Sequence, residues 1–198
     1  LQNEASIVGN FPQVLMFWYF GTPEQKREFV EGMITGKKRV AFGLTEPNHG
    51  SDALYLETTA VRSGSEWVIN GAKRFNTGLH TATHGLIFAR TGGKPGSPRG
   101  VTCFVVPVDS PGFKVEFMWW TFNMPTDHAE VTLTNVRVDD GMILGKEGEG
   151  LDLAQHFVHE NRIRQAASGV GAAQYCIDEA AKYARERKTF GVEIGQHQ

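Results

Sequence analysis

Three short segments of the sequence carry residue types that can bind a charged or planar ligand. The first, residues 44–52 (LTEPNHGSD), leads from an apolar run into a turn and carries Thr45 and Ser51. Backbone N–H groups in such a turn lack ladder partners, so they can bind an anion or the polar edge of a ring. An ordinary loop explains the same residues without any ligand.

The second segment, residues 70–78 (NGAKRFNTG), places the aromatic Phe75 two residues before the hydroxyl of Thr77. An aromatic ring beside a small hydroxyl can stack on a planar cofactor and bind its edge. The alternative is a core Phe75 with Thr77 at the surface. Asn70-Gly71 predicts a tight hairpin turn at the start of the segment.

The third segment, residues 182–191 (KYARERKTFG), gathers four cations near the predicted end of a helix: Lys182, Arg185, Arg187 and Lys188. Cations at this position complement the helix dipole, and they can also hold a phosphate or pyrophosphate. A solvated helix end accounts for the same charges.

Other catalytic and metal-binding patterns are missing from the sequence. The pairs His80/His84 and His156/His159 have usable spacing, but neither forms an H-E-x-x-H arrangement, so we predict no metal site. The glycines of residues 169–171 lie inside a predicted helix rather than after a strand, which argues against a dinucleotide fingerprint. The sequence contains neither a G-x-S-x-G elbow nor a P-loop.

The composition excludes several classes of protein. Of 198 residues, 40% are hydrophobic and 21% charged, which argues against disorder. The net charge of −2 does not indicate the basic surface that nucleic-acid binding needs. Two cysteines cannot build a disulfide framework or a thiolate zinc site, and no apolar run reaches the roughly 18–20 residues of a membrane span. We expect a soluble protein of a reducing compartment.

The elements that position the three segments predict an α+β fold with three parts. Residues 1–36 are predicted to be helical, with Thr22, Pro23 and Gln25 forming a capping box and helix start. Residues 37–147 hold short strands separated by Gly, Pro, Asn and Asp, which is typical of an antiparallel sandwich or barrel. Residues 148–198 begin with an apolar stripe of more than thirty residues, typical of a bundle helix. The predicted strands are 40–44, 57–62, 66–69, 86–90, 101–108, 113–122 and 130–138.

In this order, the segments resemble the signature motifs of the acyl-CoA dehydrogenase family. Residues 45–52 are similar to T-E-P-x-x-G-S-D, residues 70–77 to N-G-x-K-x-W-I-T, and residues 186–191 with His197-Gln198 to E-R-x-x-F-G and H-Q. Residues 122–124 (FNM) and 136–138 (VRV) are similar to two strand motifs of the family. The resemblance covers the end of an N-terminal helical domain (1–36), a middle β domain that binds flavin and acyl-CoA (37–147), and the start of a C-terminal helical bundle (148–198).

The resemblance implies non-covalently bound FAD. The strand 42–45 would lie along the flavin ring, with Phe75 stacking near it and Thr77 hydrogen-bonding close to flavin N5. Residues 187–198 would reach the adenine and pyrophosphate of FAD in a neighbouring subunit, which implies a homodimer or homotetramer. The implied cofactor-binding residues are Phe42, Gly43, Leu44, Thr45, Gly50, Ser51, Phe75, Asn76, Thr77, Arg187, Thr189, Phe190, His197 and Gln198. The implied substrate-binding residues are Ser51, His159 and Arg162.

The implied reaction is α,β-dehydrogenation of an acyl-CoA thioester in fatty acid metabolism, with hydride transfer to FAD. An electron-transfer flavoprotein or similar protein would accept the electrons, in the cytoplasm or, in a eukaryote, the mitochondrial matrix. The family's usual base is a Glu late in the C-terminal domain. We therefore expect the base beyond the C-terminal end of a sequence that is a fragment of a longer subunit. Two alternatives are a flavin-dependent monooxygenase or oxidase on the same fold and a non-catalytic binding or assembly module.

Several residues depart from the family pattern beside the implied flavin and thioester. His49 and Tyr55 stand where small residues are usual, Phe75 and Asn76 replace Trp and Ile, and His159 replaces an Asp. Bulky or polar changes at these places predict an altered substrate or a flavin site used differently.

Overall fold

The computed structural model describes residues 13–121 and 124–197. They fall into two compact units that divide between Phe157 and Val158. The three-part domain division at residues 36 and 147 stays a prediction.

Short helices begin the described part of the chain. Helix α1 (Gln13–Phe20) is followed by α2 (Pro23–Gln25), a π-helical turn (Lys26–Val30) and α3 (Glu31–Ile34). The capping box is confirmed, because Thr22 Oγ1 accepts from the Gln25 backbone N–H while Gln25 Oε1 accepts from that of Thr22. Phe17 of α1 stacks on Phe29 of the π-helical turn, with ring centroids 4.5 Å apart. This contact fixes α1 against the helices that follow.

The strands of the first unit form one sheet of eight. They are β1 (Val40–Gly43), β2 (Thr59–Ser63), β3 (Glu66–Thr77), β4 (His84–Arg90), β5 (Val101–Pro107), β6 (Phe113–Thr121), β7 (Met124–Asp139) and β8 (Ile143–Leu144). The order is β6-β7-β3-β2-β4-β5-β8, with β1 beside β4. Most pairs are antiparallel as predicted, but β1 and β2 each pair with β4 in parallel. The predicted strands are all found, with some boundaries moved by several residues.

The predicted hairpin turn at Asn70-Gly71 is wrong. The β2–β3 hairpin turns at residues 64–65, where Ser63 pairs with Glu66 and Gly64 has φ +65°. Asn70 and Gly71 lie inside β3, which continues to Thr77, and a register shift against β7 falls between Ile69 and Gly71. The Asn-Gly pair therefore marks an irregularity within a strand rather than a turn between strands.

Two apolar clusters cover the two faces of β4 and β5. Leu86 and Phe88 of β4 belong to a cluster with α1, the π-helical turn and the first residues of the long helix that follows the sheet. Ile87 and Ala89 face the opposite way, into a cluster with β3 and β7. Because side chains alternate along a strand, both faces of β4 and β5 are buried. The second cluster lies between β4 and β5 on one side and β3 and β7 on the other.

Helix α4 (Gly150–Glu186) is one continuous element of 37 residues, as its long apolar stripe predicted. Leu151, Leu153 and Ala154 at its start are buried within the first unit. In the second unit, the helix is followed by a small hairpin of β9 (Lys188–Thr189) and β10 (Val192–Glu193). Among the described residues, no helix has the length and apolar character needed to cross a membrane.

Candidate functional site

The first two predicted segments lie side by side in the structure. The backbone N–H of Arg74 in β3 donates to Thr45 O, at 2.8 Å. Lys73 Nζ donates to Leu44 O at 3.2 Å. The turn after β1 is thus fixed along the second half of β3, which places Thr45 beside Arg74.

Glu46 is the buried anchor of this turn. Its carboxylate accepts hydrogen bonds from the backbone N–H groups of Glu57 and Thr58 and from Lys73 Nζ, the last at 2.8 Å. Burial raises the pKa of Glu46, but Lys73 and these donors outweigh it, so the pKa lies below its usual value. Burial lowers the pKa of Lys73 to about 8, against the opposing effect of Glu46. Glu46 therefore holds the turn in place from inside the fold.

A bulge in β3 displays Phe75 and Thr77 at the surface. Between Lys73 and Asn76 the register against β7 shifts by one residue, and Phe75 there has φ +60°. A non-glycine residue with positive φ is uncommon and marks a locally strained backbone. Phe75 is 45% exposed and Thr77 is also exposed. The alternative of a core Phe75 is therefore wrong.

Asn76 points the other way, into the sheet. Its side chain is 1% exposed and its Nδ2 donates to Ala129 O at 3.1 Å. A Cβ added at Gly43 would lie 2.8 Å from Asn76 Oδ1, so a side chain at that position of β1 would collide with Asn76. Asn76 therefore sits behind the displayed surface and braces β1 against β3.

Phe42 of β1 packs against the first apolar cluster. Its ring stacks on Phe157 at a centroid distance of 3.9 Å with an interplanar angle of 6°. A second contact, with Phe88, has a centroid distance of 5.1 Å. Phe42 thus connects β1 to the start of α4.

The turn that carries Ser51 brings together His49 and Tyr55, two of the residues that depart from the family pattern. The rings of His49 and Tyr55 stack at 6.4 Å, and His49 Nε2 lies 3.5 Å from the Glu57 carboxylate. Asn48 Nδ2 donates to the same carboxylate at 3.3 Å. Ser51 and Gly50 are exposed beside this cluster, and a Cβ added at Gly50 would meet no atom within 4 Å. The Ser51 hydroxyl is therefore accessible at an open part of the turn.

Sequence reasoning missed the residues that β7 places opposite Thr77. His128 pairs with Thr77 in register, and its Nδ1 lies 3.0 Å from Thr77 Oγ1. Asp127 Oδ1 lies 3.2 Å from the same nitrogen. No local pattern links these positions, because they are 51 residues apart and depend on the β3–β7 register. Alternation along residues 127–131 would at most have shown that His128 and Glu130 share a face.

Arg74 is a second missed residue. Its guanidinium lies 5.8 Å from the Phe75 ring centroid and 4.9 Å from that of Trp119, and it forms an ion pair with Glu130 at 2.9 Å. The Phe75 and Trp119 rings are 5.3 Å apart. Cation–π contacts of this kind hold aromatic rings in place, so Arg74 supports the displayed orientation of Phe75.

The second unit holds the third predicted segment. Phe190 and Gly191 form its two-residue hairpin turn with φ of +51° and +85°, and Phe190 is 99% exposed. Thr189 Oγ1 and His197 Nε2 lie 3.2 Å apart, so the segment is closed by its own contacts. The remaining implied residues here, Arg187, His159 and Arg162, are exposed. Gln198 lies outside the described residues, as does most of the 122–124 motif.

Comparisons with known proteins match this architecture. Two family models match the chain: acyl-CoA dehydrogenase, middle domain, over residues 41–136, and acyl-CoA dehydrogenase, C-terminal domain, over residues 148–198. The chain is 38% identical over 185 residues to a 3-(aryl)acrylate reductase of Clostridium sporogenes, covering 92% of this chain and 48% of that protein. It is 34% identical over 175 residues to a mitochondrial isobutyryl-CoA dehydrogenase of Dictyostelium discoideum, covering 86% and 41%.

A solved structure shows the same fold. Butyryl-CoA dehydrogenase from Megasphaera elsdenii has a TM-score of 0.80 and 31% sequence identity, over 93% of this chain and 49% of that chain. The chain spans about half the length of the curated relatives it matches.

Proposed function

The chain belongs to the acyl-CoA dehydrogenase family, and on that premise we propose that its protein carries out FAD-dependent α,β-dehydrogenation of an acyl-CoA thioester. The observation that carries the proposal is the displayed pair of Phe75 and Thr77 on the β3 bulge. The strained bulge leaves the Phe75 ring 45% exposed beside Trp119 and Arg74, although the fold alone does not require an exposed aromatic ring there. A planar ligand at this surface accounts for it.

The residues at this surface fit the flavin end of FAD. Phe75 offers an aromatic face and Thr77 offers a hydroxyl that can donate and accept. Gly43 lets β1 approach β3 without a side chain in between, and Thr45 continues the same edge. Of the predicted cofactor residues here, Asn76 is buried and supports the surface from behind.

When bound, FAD supplies the acceptor for the hydride that leaves the substrate β-carbon. The Thr77 hydroxyl would bind the polar edge of the flavin ring. The Phe75 ring would pack near the flavin and exclude water from it. The turn 45–52 provides the Ser51 hydroxyl and backbone amides for the substrate. His49 and Tyr55 border this turn, so we propose that they influence which acyl group is accepted.

Glu46 does not serve as the base that removes the α-proton. It is 3% exposed and its carboxylate is committed to Lys73 and two backbone N–H groups. A general base must reach the proton that it abstracts. No residue of the chain is assigned that role.

The second unit is proposed to hold the adenine and pyrophosphate end of FAD in a neighbouring subunit. Arg187 and the displayed Phe190 suit that role by charge and by exposed aromatic area. His159 and Arg162 remain proposed substrate contacts. An electron-transfer flavoprotein or similar protein is the proposed electron acceptor.

The same chemistry run in reverse is a second candidate. The relative of 38% identity is named a reductase of 3-(aryl)acrylates. A protein of this type would add hydrogen to an unsaturated acyl group instead of removing it. The two candidates differ in the substrate that they use: a saturated acyl group would reduce the flavin, and an unsaturated acyl group would oxidise the reduced flavin.

Anaerobic titration tests the proposal. Purified protein is loaded with FAD, and acyl-CoAs of several chain lengths are added without oxygen. Bleaching of the visible flavin absorbance supports dehydrogenation, whereas bleaching by reductant followed by recovery with an enoyl-CoA supports the reverse direction. A protein that takes up no FAD, or a bound flavin that responds to neither set, would contradict both.

A variant pair tests the site itself. Phe75→Asn should lower FAD affinity by at least about tenfold because the aromatic face is lost, while Asn tolerates the positive φ and keeps the fold. Phe75→Trp restores an aromatic face and should keep the affinity. Equal FAD affinity in the two variants would remove Phe75 from the site.

A further inference from the structure

The Thr77 hydroxyl contacts an acid–histidine pair on β7 that lies outside the three motif segments. Asp127 and His128 lie at adjacent positions of β7, and the Gly78 backbone N–H donates to Asp127 O at 2.9 Å. This bond fixes the end of β3 to β7 next to the side chains. His128 Nδ1 then lies 3.0 Å from Thr77 Oγ1 and 3.2 Å from Asp127 Oδ1.

The two partners of Nδ1 decide which way the hydrogen bonds run. An ionised carboxylate only accepts hydrogen bonds, whereas a hydroxyl can donate one and accept two. A bare Nδ1 lone pair would face the Asp127 carboxylate, which is unfavourable. A protonated Nδ1 satisfies Asp127 and can share its hydrogen with Thr77 Oγ1.

The direction of this bond sets what Thr77 can offer to a ligand. With Nδ1–H as the donor, the Thr77 hydroxyl keeps its own proton for an acceptor outside the protein. With Nδ1 as the acceptor, that proton would be used internally and the hydroxyl could only accept. Thr77 is exposed, so a ligand can reach it.

We propose that His128, oriented by Asp127, is a positioning residue that presets the Thr77 hydroxyl as a hydrogen-bond donor toward a ligand acceptor. This inference rests on the proposed function for the identity of the ligand, which is oxidised flavin. The flavin nitrogen that receives the hydride is an acceptor when oxidised and carries hydrogen when reduced. A preset donor therefore favours the oxidised form.

The bond direction is measured first without FAD. The ¹⁵N chemical shifts of His128 are recorded at a pH where the ring is neutral, in the wild type and in Thr77→Val. The expected result is the tautomer with hydrogen on Nδ1 in the wild type. A wild-type tautomer with hydrogen only on Nε2 would overturn the proposal, whatever the protein binds.

The effect on the ligand is then measured with FAD. His128→Phe removes the donor, and His128→Asn keeps an amide donor near the same place. We expect His128→Phe to weaken oxidised FAD by about tenfold with little change for reduced FAD, and His128→Asn to restore most of the affinity. For a two-electron couple, a tenfold change raises the midpoint potential by about 30 mV.

Two further variants separate positioning from general damage. His80→Phe changes another histidine of the same unit, which is exposed, and should leave affinity and potential unchanged. The double variant Thr77→Val/His128→Phe should behave like Thr77→Val alone, because His128 acts through that hydroxyl. Additive effects, or equal weakening of oxidised and reduced FAD, would contradict the proposal.

The two parts of the experiment distinguish the proposals. A protein with the expected tautomer that takes up no FAD contradicts the proposed function and the flavin as the ligand. A protein that binds FAD and shows the opposite tautomer contradicts only the role of His128.

Discussion

At the residue scale, the Glu46–Lys73 pair ties three segments of the first unit together. Lys73 comes from β3, Glu46 from the turn after β1, and the two backbone donors from the segment before β2. The side chains of Lys73 and Glu46 are 0% and 2% exposed. A buried pair of this kind specifies an arrangement more than it adds stability, because both charges are desolvated.

Removing one member of this pair should destabilise the fold strongly. Lys73→Met leaves the Glu46 carboxylate buried without its cation, and we expect a loss of about 3–5 kcal/mol in the free energy of unfolding. Urea denaturation measures it. Lys114→Met is the matched control, since Lys114 is 70% exposed, and it should change stability by less than about 0.5 kcal/mol. A Lys73→Met variant as stable as this control would show that the pair does not hold the turn.

The same pair predicts a pH dependence. Because the folded pKa of Glu46 lies below its unfolded value, its contribution is present above about pH 4.3 and is lost as pH falls through the folded pKa. The double variant Glu46→Gln/Lys73→Met lacks this titration. Between pH 6 and 3, it should therefore lose less stability than the wild type in denaturant titrations. Parallel losses in the two proteins would place the titration elsewhere.

At the element scale, β3 contains two features: the irregularity at Asn70-Gly71, where the sequence predicted a turn, and the bulge that exposes Phe75 and Thr77. Gly71 has φ +151°, and a Cβ there would lie 2.4 Å from Thr58 Oγ1 and 2.7 Å from Thr58 Cα. The glycine therefore allows the backbone of β3 to approach the segment before β2. Gly71 therefore allows two backbone segments to lie close together and does not reverse the direction of the chain.

Gly71→Ala should consequently be costly. The added methyl group meets a backbone atom that cannot rotate away, so we expect a loss of about 2–3 kcal/mol in the free energy of unfolding. Gly64→Ala, at the true hairpin turn, adds a methyl group with no atom within 4 Å. It should cost only about 1–2 kcal/mol for its positive φ. Thermal unfolding of both variants measures the difference, and a Gly64→Ala loss equal to or above that of Gly71→Ala would reverse the assignment.

Local signals predicted the elements better than the contacts between them. The capping box of Thr22 and Gln25 depends on four adjacent residues, and it was predicted correctly from them. The parallel pairing of β1 with β4 and the position of His128 opposite Thr77 depend on strand order and register. No short pattern encodes these. The exposure of Phe75 likewise follows from a bulge against β7, which the sequence of β3 alone does not reveal.

At the scale of the whole molecule, the second unit leaves a long apolar stripe uncovered. Ile163, Val170 and Ile177 are 74%, 72% and 62% exposed. Their spacing of seven residues places them on one face of α4. Large side chains repeated on one helix face in solvent mark an interaction surface. The stripe agrees with the predicted bundle helix, and we propose that part of it packs against a neighbouring subunit in the homodimer or homotetramer.

Charging this stripe should therefore weaken assembly. Each buried Ile or Val side chain contributes about 1.5–3 kcal/mol, so Ile163→Lys/Val170→Lys/Ile177→Lys should raise the dissociation constant at least about 100-fold. Light scattering at several concentrations measures the change. The control Gln165→Lys/Ser168→Lys, on the opposite face of α4, should leave the mass unchanged. A wild-type protein that is monomeric at micromolar concentration, or a stripe variant that assembles like the control, would contradict the assignment. Loss of assembly together with loss of FAD would support the proposal that Arg187 and Phe190 complete the cofactor site of a neighbouring subunit.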